Sequence, residues 1–235
     1  MADAPTYTEA QAVVYRWDFM KQHYEPLKER LEAKGLAQAS QSLDDLIYPL
    51  ITGPEIALLL AEDCLTVMST PHPPADATVQ VRGFTSTILT DWTGHLALEA
   101  AVRTLHCSGD LFGQMLNAAG LVPQPLVGDY YASDVLKAFP EGDTVKRAFG
   151  DFLNSKQYLH VGAITNELKH RQLVRTTYRA WASPGEPPQS NFYLQSFERN
   201  GEPYPETDPK SLRTIIDEFR ERGGSVMDAA LAALQ

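Results

Sequence analysis

The chain has 235 residues, 43% of them hydrophobic and 21% charged, with 20 Lys and Arg against 30 Asp and Glu for a net charge of −10 and a pI near 5.0. That composition opposes wholesale disorder, and the acidic balance opposes a large phosphate-binding surface. No apolar run approaches the roughly 18 residues of a spanning helix, and Met-Ala-Asp-Ala-Pro-Thr lacks a basic lead and an apolar segment, so the sequence predicts a soluble cytoplasmic protein with no membrane partner.

Val13, Trp17, Met20, Tyr24, Leu27 and Leu31 recur at spacings of three and four, which predicts a helix from about Thr8 to Lys34, kinked or split at Pro26 and ended by Gly35. Ser42 is placed to cap a second helix, interrupted at Gly53-Pro54, after which Ile56, Leu59, Leu60, Cys64 and Val67 carry a third apolar face. Residues 70 to 78 hold three prolines and read as a surface connection, with His72 solvated, and Val79 to Phe84 alternates briefly like an edge strand. From Ser86 or Thr90 to Ala119 the pattern is helical again for about eight turns, closed by Gly120.

That long helix carries His95, Glu99, Arg103, His106, Asp110 and Gln114 on one side, either a solvated face or a polar seam. A loop over residues 121–142 contains a short helix near Ser133 to Phe139. Asp143-Thr144 caps the next helix, which breaks near Asn154-Ser155, and a further helix ends in Asn166, Glu167, Lys169, His170 and Arg171, where the basic residues suit the negative pole of the helix dipole. Leu173 to Trp181 and Asn191 to Phe197 are β-branched and aromatic and predict a hairpin, followed by a second turn at Asn200-Gly201. Asp208-Pro209 starts a last helix, which Gly223-Gly224 is expected to break before a short final one.

The resulting expectation is a mainly α protein: one antiparallel helical-bundle domain, helical over 8–70 and 86–171, with a small β-hairpin region over 172–204 near the C-terminal third and helices over 208–234. Cys64 and Cys107 fall in apolar helical patterns and read as buried free thiols. Gly-rich phosphate loops, paired Cys-x-x-Cys sites and the His-Glu-x-x-His zinc pattern are absent. Glu167-Leu-Lys-His170 has the Glu-x-x-His spacing of di-iron bundles, but in a single copy, with Glu99 and Glu62 as the spare carboxylates and Lys169 and Arg171 opposing a dication. No metal or other cofactor is expected.

Asn166-x-x-Lys169-His170-Arg171, after a helix containing Leu105-His-Cys-Ser-Gly-Asp-Leu-Phe-Gly-Gln-Met-Leu-Asn117, resembles the HEPN-like helical proteins, notably a Clostridium-type branch, over roughly residues 86 to 220. Phe197-Glu-Arg-Asn-Gly-Glu-Pro-Tyr204 followed by an amphipathic helix adds to the likeness. The resemblance implies a helical bundle, often homodimeric, in a group with ribonuclease toxins and defence or stress components. The nucleases of that group pair an Arg with a His after four to six intervening residues. Arg16 and His23 are the one formal match, on the first helix, where the spacing reads as coincidence, and Arg103 and His106 are too close.

Three functional expectations stand side by side: a binding or regulatory module without ribonuclease activity; a metal- or acid/base-dependent enzyme using Glu99, His106, Glu167 and His170; and a structural homodimer partner. His106, Glu167 and His170 are the catalytic candidates. Asn166, Lys169, His170, Arg171, Arg175 and Arg179 are the ligand-binding candidates, because Arg171, Arg175 and Arg179 are four apart, share one face with Trp181 in a strand, and can fork onto phosphates in weak RNA or nucleotide binding. Pairing with the acidic excess is the competing use of those arginines.

Overall fold

The computed structural model describes residues 16–69, 86–170, 176–181 and 189–235. The protein is mainly helical, with two small antiparallel sheets in the C-terminal third. Residues 8–15 of the predicted first helix, the 70–78 connection with His72, and the Val79 to Phe84 strand lie outside the described residues.

Helix α1 (Glu25–Ala33) follows a helical turn (Trp17–Phe19) and a π-helical turn (Met20–Tyr24). Pro26 lies in the first turn of α1, where its missing N–H costs nothing, so the irregularity falls just before the proline. Gly35 then takes φ +71°. Helix α2 (Ala37–Ile47) starts after Leu36, so Ser42 lies inside it and does not cap it. Gly53-Pro54 does not end the helical run either. The chain widens into a π turn at Tyr48–Thr52 and continues as α3 (Gly53–Ser69), because Pro54 again occupies a first-turn position.

Helix α4 (Ser86–Ala118) closes on Gly120 at φ +68°, with Gly120 N–H donating to Asn117 O and Leu121 N–H to Leu116 O at 3.0 and 3.2 Å. Helix α5 (Ala132–Ala138) and α6 (Thr144–Leu153) follow, and the Asp143 carboxylate accepts the Lys146 N–H at 2.9 Å as the N-cap of α6. Helix α7 (Lys156–His170) begins directly after the break at Asn154-Ser155.

Strands β1 (Thr176–Trp181) and β2 (Gln189–Leu194) pair antiparallel with Thr176 opposite Leu194 and Trp181 opposite Gln189. β3 (Phe197–Arg199) and β4 (Glu202–Tyr204) form a second hairpin, and Asn200 and Gly201 between them take φ +54° and +82°, as a type I′ turn requires. Asp208 accepts the Ser211 N–H at 2.7 Å and opens α8 (Pro209–Ala233).

Helix α8 overturns one expectation. Gly223-Gly224 does not break it. A Cβ on Gly223 would meet Leu50 at 3.0 Å and Phe112 at 3.2 Å, and one on Gly224 would meet the His23 ring at 2.9 Å. These glycines admit close neighbours to a helix whose hydrogen bonds continue past them.

By contact density the chain forms two compact units, and α4, α7 and α8 each supply residues to both. The first comprises Met1–Gly53, Thr104–Leu159 and Ile216–Gln235. Its centre is an aromatic cluster: Phe112, Phe152 and Phe219 are fully buried, with Phe152 5.1 Å from Phe112 and 5.4 Å from Phe219 between ring centroids. Each such ring contributes about 1.5–3 kcal/mol by leaving water. Leu27, Leu31, Leu43, Leu46 and Leu50 are buried in the same unit.

The second unit comprises Pro54–Arg103 and His160–Ile215. Phe192 and Leu194 alternate inward along β2, and Phe192 packs against Tyr178 and His95. A Cβ at position 94 would fall 2.2 Å from the Phe192 ring, which is why a glycine stands there. Cys64 is buried, and burial pushes its thiol pKa up, with Asp63 adding to the shift. Cys107 is exposed, against expectation, because it falls on the outer side of α4 while Leu105 and Ser108 take the inner positions.

Candidate functional site

The polar end of α7 draws its partners from within its own unit. Glu167 is buried, and the Arg199 Nε lies 3.8 Å from its carboxylate. Asn166 is half-buried and Lys169 exposed. Arg179 on β1 donates two hydrogen bonds to Glu206, one of 3.0 Å, and its guanidinium stands 4.7 Å from the centre of the Tyr193 ring. The Glu206 hydrogen bonds raise the Arg179 pKa further. The His170 side chain, Arg171, Arg175 and the Trp181 side chain lie outside the described residues.

The spare carboxylates proposed for a metal are committed to arginine. Glu62 and the buried Glu55 both accept from Arg213 at 3.2 Å, and Glu99 lies 3.8 Å from Arg103. Among the described residues no group of three His, Cys, Asp or Glu is arranged to hold a metal ion.

The polar row of α4 does several jobs instead of one. His95 packs edge-on against Phe192, His106 stacks on Tyr158 at 5.7 Å, Asp110 accepts the Ala132 N–H at 2.9 Å as α5 begins, and Gln114 is exposed. Tyr158 is enclosed by Phe152 and Phe219, and burial, with Asp110 and Cys107 adding negative potential, pushes its phenol pKa well up.

Two adjoining cavities in the first unit gather polar side chains that the sequence did not bring together. One, about 590 Å³, is lined by Arg147 and Asp151 of α6 and by Glu221, Arg222, Ser225 and Asp228 of α8. The other, about 310 Å³, is lined by Arg16, Asp18, His23, Asp217, Arg220 and Glu221. Glu221 borders both.

His23 Nδ1 lies 2.8 Å from Asp228 Oδ1, joining the wall of one cavity to that of the other. An ionised carboxylate only accepts, so that bond places the ring proton on Nδ1. Phe19 packs on one side of the imidazole at 5.0 Å, and Gly224 leaves the room the ring occupies.

Arg16 reaches Asp18 at 3.5 Å from a backbone of φ +45°, a left-handed conformation that costs a non-glycine residue on the order of 1 kcal/mol. Desolvation is the largest single effect and opposes ionisation of Asp18, but the Phe19 and Asp18 backbone N–H groups and Arg16 together outweigh it and hold the carboxyl pKa below its ordinary value. The spacing of Arg16 and His23 reads as coincidence in the sequence, yet both residues line one cavity. The acidic and basic residues of α8 opposite them gave no motif.

No helix among the described residues is long and apolar enough to cross a membrane. Comparisons with protein-family models, with curated proteins and with solved structures find no match to the chain.

Proposed function

We propose that the chain is a HEPN-like binding or regulatory module without ribonuclease activity. The observation that carries this reading is the engagement of the described polar candidates by groups of the same chain: Glu167 with Arg199, Glu99 with Arg103, Arg179 with Glu206 and Tyr193, and His106 against Tyr158. A general acid, base or phosphate clamp needs its polar atoms directed at a substrate, whereas the two carboxylates and Arg179 are directed at charged partners of the same chain. The carboxylates lining the two α8 cavities, three in each against two arginines, also disfavour a polyanion there.

RNA binding in this reading is weak and runs through the Arg171, Arg175 and Arg179 face. Neutralising about three phosphates corresponds to a log-log salt slope near −2 for a single strand. The pair with Glu206 occupies the Arg179 guanidinium. Titrating a fluorescent single-stranded RNA at low salt should therefore show tighter binding and a steeper salt slope for Glu206→Gln, and Arg179→Ala should abolish that gain. Equal affinity in wild type and Glu206→Gln would contradict it.

The module is also proposed to pair with a second copy. Ile56 and Leu60 stand one turn apart on α3 and are 49% and 43% exposed, and Trp92 and Leu96 on α4 are 65% and 60% exposed. Apolar area of this kind supports a partner surface. Light scattering should give twice the 26.0 kDa chain mass at micromolar concentration, and a 26.0 kDa particle would refute self-association.

A second reading draws on the Arg16 and His23 cavity. An imidazole oriented by a carboxylate, beside two guanidinium groups, is equipped to move a proton and to balance charge at a phosphodiester. It expects RNA cleavage in the presence of a chelator, lost in His23→Ala.

A further inference from the structure

The loop over residues 121–131 is held against α4 by one side chain. Asn117 Nδ2 donates to Leu126 O and to the Tyr130 hydroxyl, both at 3.0 Å, and Asn117 Oδ1 accepts the Leu126 N–H at 2.9 Å. An amide that satisfies a backbone pair and a phenol together fixes the loop's register on the helix. Behind the tethered loop lies a cavity of about 460 Å³, bordered by Gln38 of α2, Asp110 and Gln114 of α4, and Asp129, Tyr130 and Tyr131 of the loop.

Its lining differs in kind from that of the α8 cavities. Among the described residues no lysine, arginine or histidine borders it, while two carboxylates and two phenol rings do. One oxygen of Asp110 accepts the Ala132 N–H. Asp129 is exposed, and its side chain takes no hydrogen bond or ion pair from the described residues. Two carboxylates with no cation among the described lining residues, and with phenol rings alongside, form an environment of negative potential. The glutamine carbonyls supply neutral acceptors that complete the donor requirement of an ammonium group.

We propose that this cavity binds an organic cation, a small molecule carrying primary or secondary ammonium groups on an aliphatic chain. The carboxylates of Asp129 and Asp110 take the charge, Tyr131 and Tyr130 flank the alkyl stem and the ammonium, and Asn117 acts as a positioning residue through the loop. The site is separate from the α7 face and from the α8 cavities.

Calorimetric titration of the full chain with spermidine at low ionic strength tests this. Binding should saturate at one equivalent, and 1,4-butanediol, an uncharged chain, should give no heat above dilution. Asp129→Asn should weaken spermidine binding about three- to fivefold, the range of an exposed charge pair. Tyr131→Ala should weaken it about threefold through loss of the ring face.

A chain of net charge −10 attracts any polyamine, so Glu29→Gln, which removes one exposed charge elsewhere, is the control and should leave the affinity unchanged. Asp129 and Tyr131 are exposed, so their variants should retain the fold, to be confirmed by circular dichroism. Saturable binding that responds to Asp129→Asn and Tyr131→Ala but not to Glu29→Gln establishes the site. Unsaturable uptake, or equal losses in Asp129→Asn and Glu29→Gln, overturns it.

Discussion

Replacing Gly109 by alanine tests how tightly the first unit is built around Tyr158. A Cβ at position 109 would lie 2.1 Å from the Tyr158 hydroxyl oxygen, 2.7 Å from Cζ and 2.8 Å from Cε2. The ring cannot easily withdraw, because Phe152, Phe219 and His106 surround it at centroid distances of 5.3, 5.9 and 5.7 Å. Alanine gains about 1 kcal/mol over glycine within a helix. Overpacking a fixed core costs about 1–3 kcal/mol, and three contacts below 3.0 Å on a wedged ring place this case at the upper end.

The net expectation is a loss of about 2 kcal/mol, which for a chain of this size lowers Tm by about 4–8 °C. Gly150 is the internal control, since its added Cβ would meet nothing nearer than Leu136 at 3.6 Å. Gly150→Ala should raise Tm by about 2–4 °C, the propensity gain alone. Melting followed by circular dichroism reads both, and combining Gly109→Ala with Tyr158→Phe should recover part of the loss by removing the nearest atom. A Gly109→Ala protein as stable as the wild type would refute the packing argument.

Burial lowers the pKa of His160, whose Nε2 shares a 2.7 Å hydrogen bond with Thr207 Oγ1. A histidine depressed in the fold binds fewer protons there than when unfolded, so stability is full above the ordinary value of 6.5 and declines as pH falls through the folded value. The urea midpoint should therefore drop below about pH 6.5, with a shallower drop in His160→Gln, and a midpoint unchanged down to pH 5 would count against this. Arg213→Ala withdraws the guanidinium from the buried Glu55 and from Glu62. Breaking a fully buried pair costs about 3–5 kcal/mol, and because Arg213 is 36% exposed the loss here should be about 2 kcal/mol by urea unfolding. Arg213→Lys should fall between, since a single ammonium keeps the charge but lacks the two separate guanidinium nitrogens that reach Glu55 and Glu62.

Local chemistry made most of the fold legible. Asp143, Asp208, Gly120 and Asn200-Gly201 each satisfy or permit a specific backbone arrangement within a few residues, and the structure uses them as read. The irregular π turns do fall just before Pro26 and Pro54, as a missing N–H predicts, whereas Gly223-Gly224 differs from expectation because glycines under a neighbour's side chain look like breakers until their surroundings are known. The two α8 cavities were hidden because Asp228 meets His23 across 205 positions of sequence, and no spacing rule reaches that far. Asn166, Glu167 and Lys169 were legible as a polar cluster, but that Glu167 is buried against Arg199 depends on where the second hairpin folds back.

The most direct test of the proposed function is incubation of the purified chain with a single-stranded RNA in the presence of a chelator, with His23→Ala and Arg16→Ala alongside. The account predicts intact RNA in all three samples. Cleavage by the wild type that disappears in both variants would contradict it and assign the Arg16 and His23 cavity as a ribonuclease site.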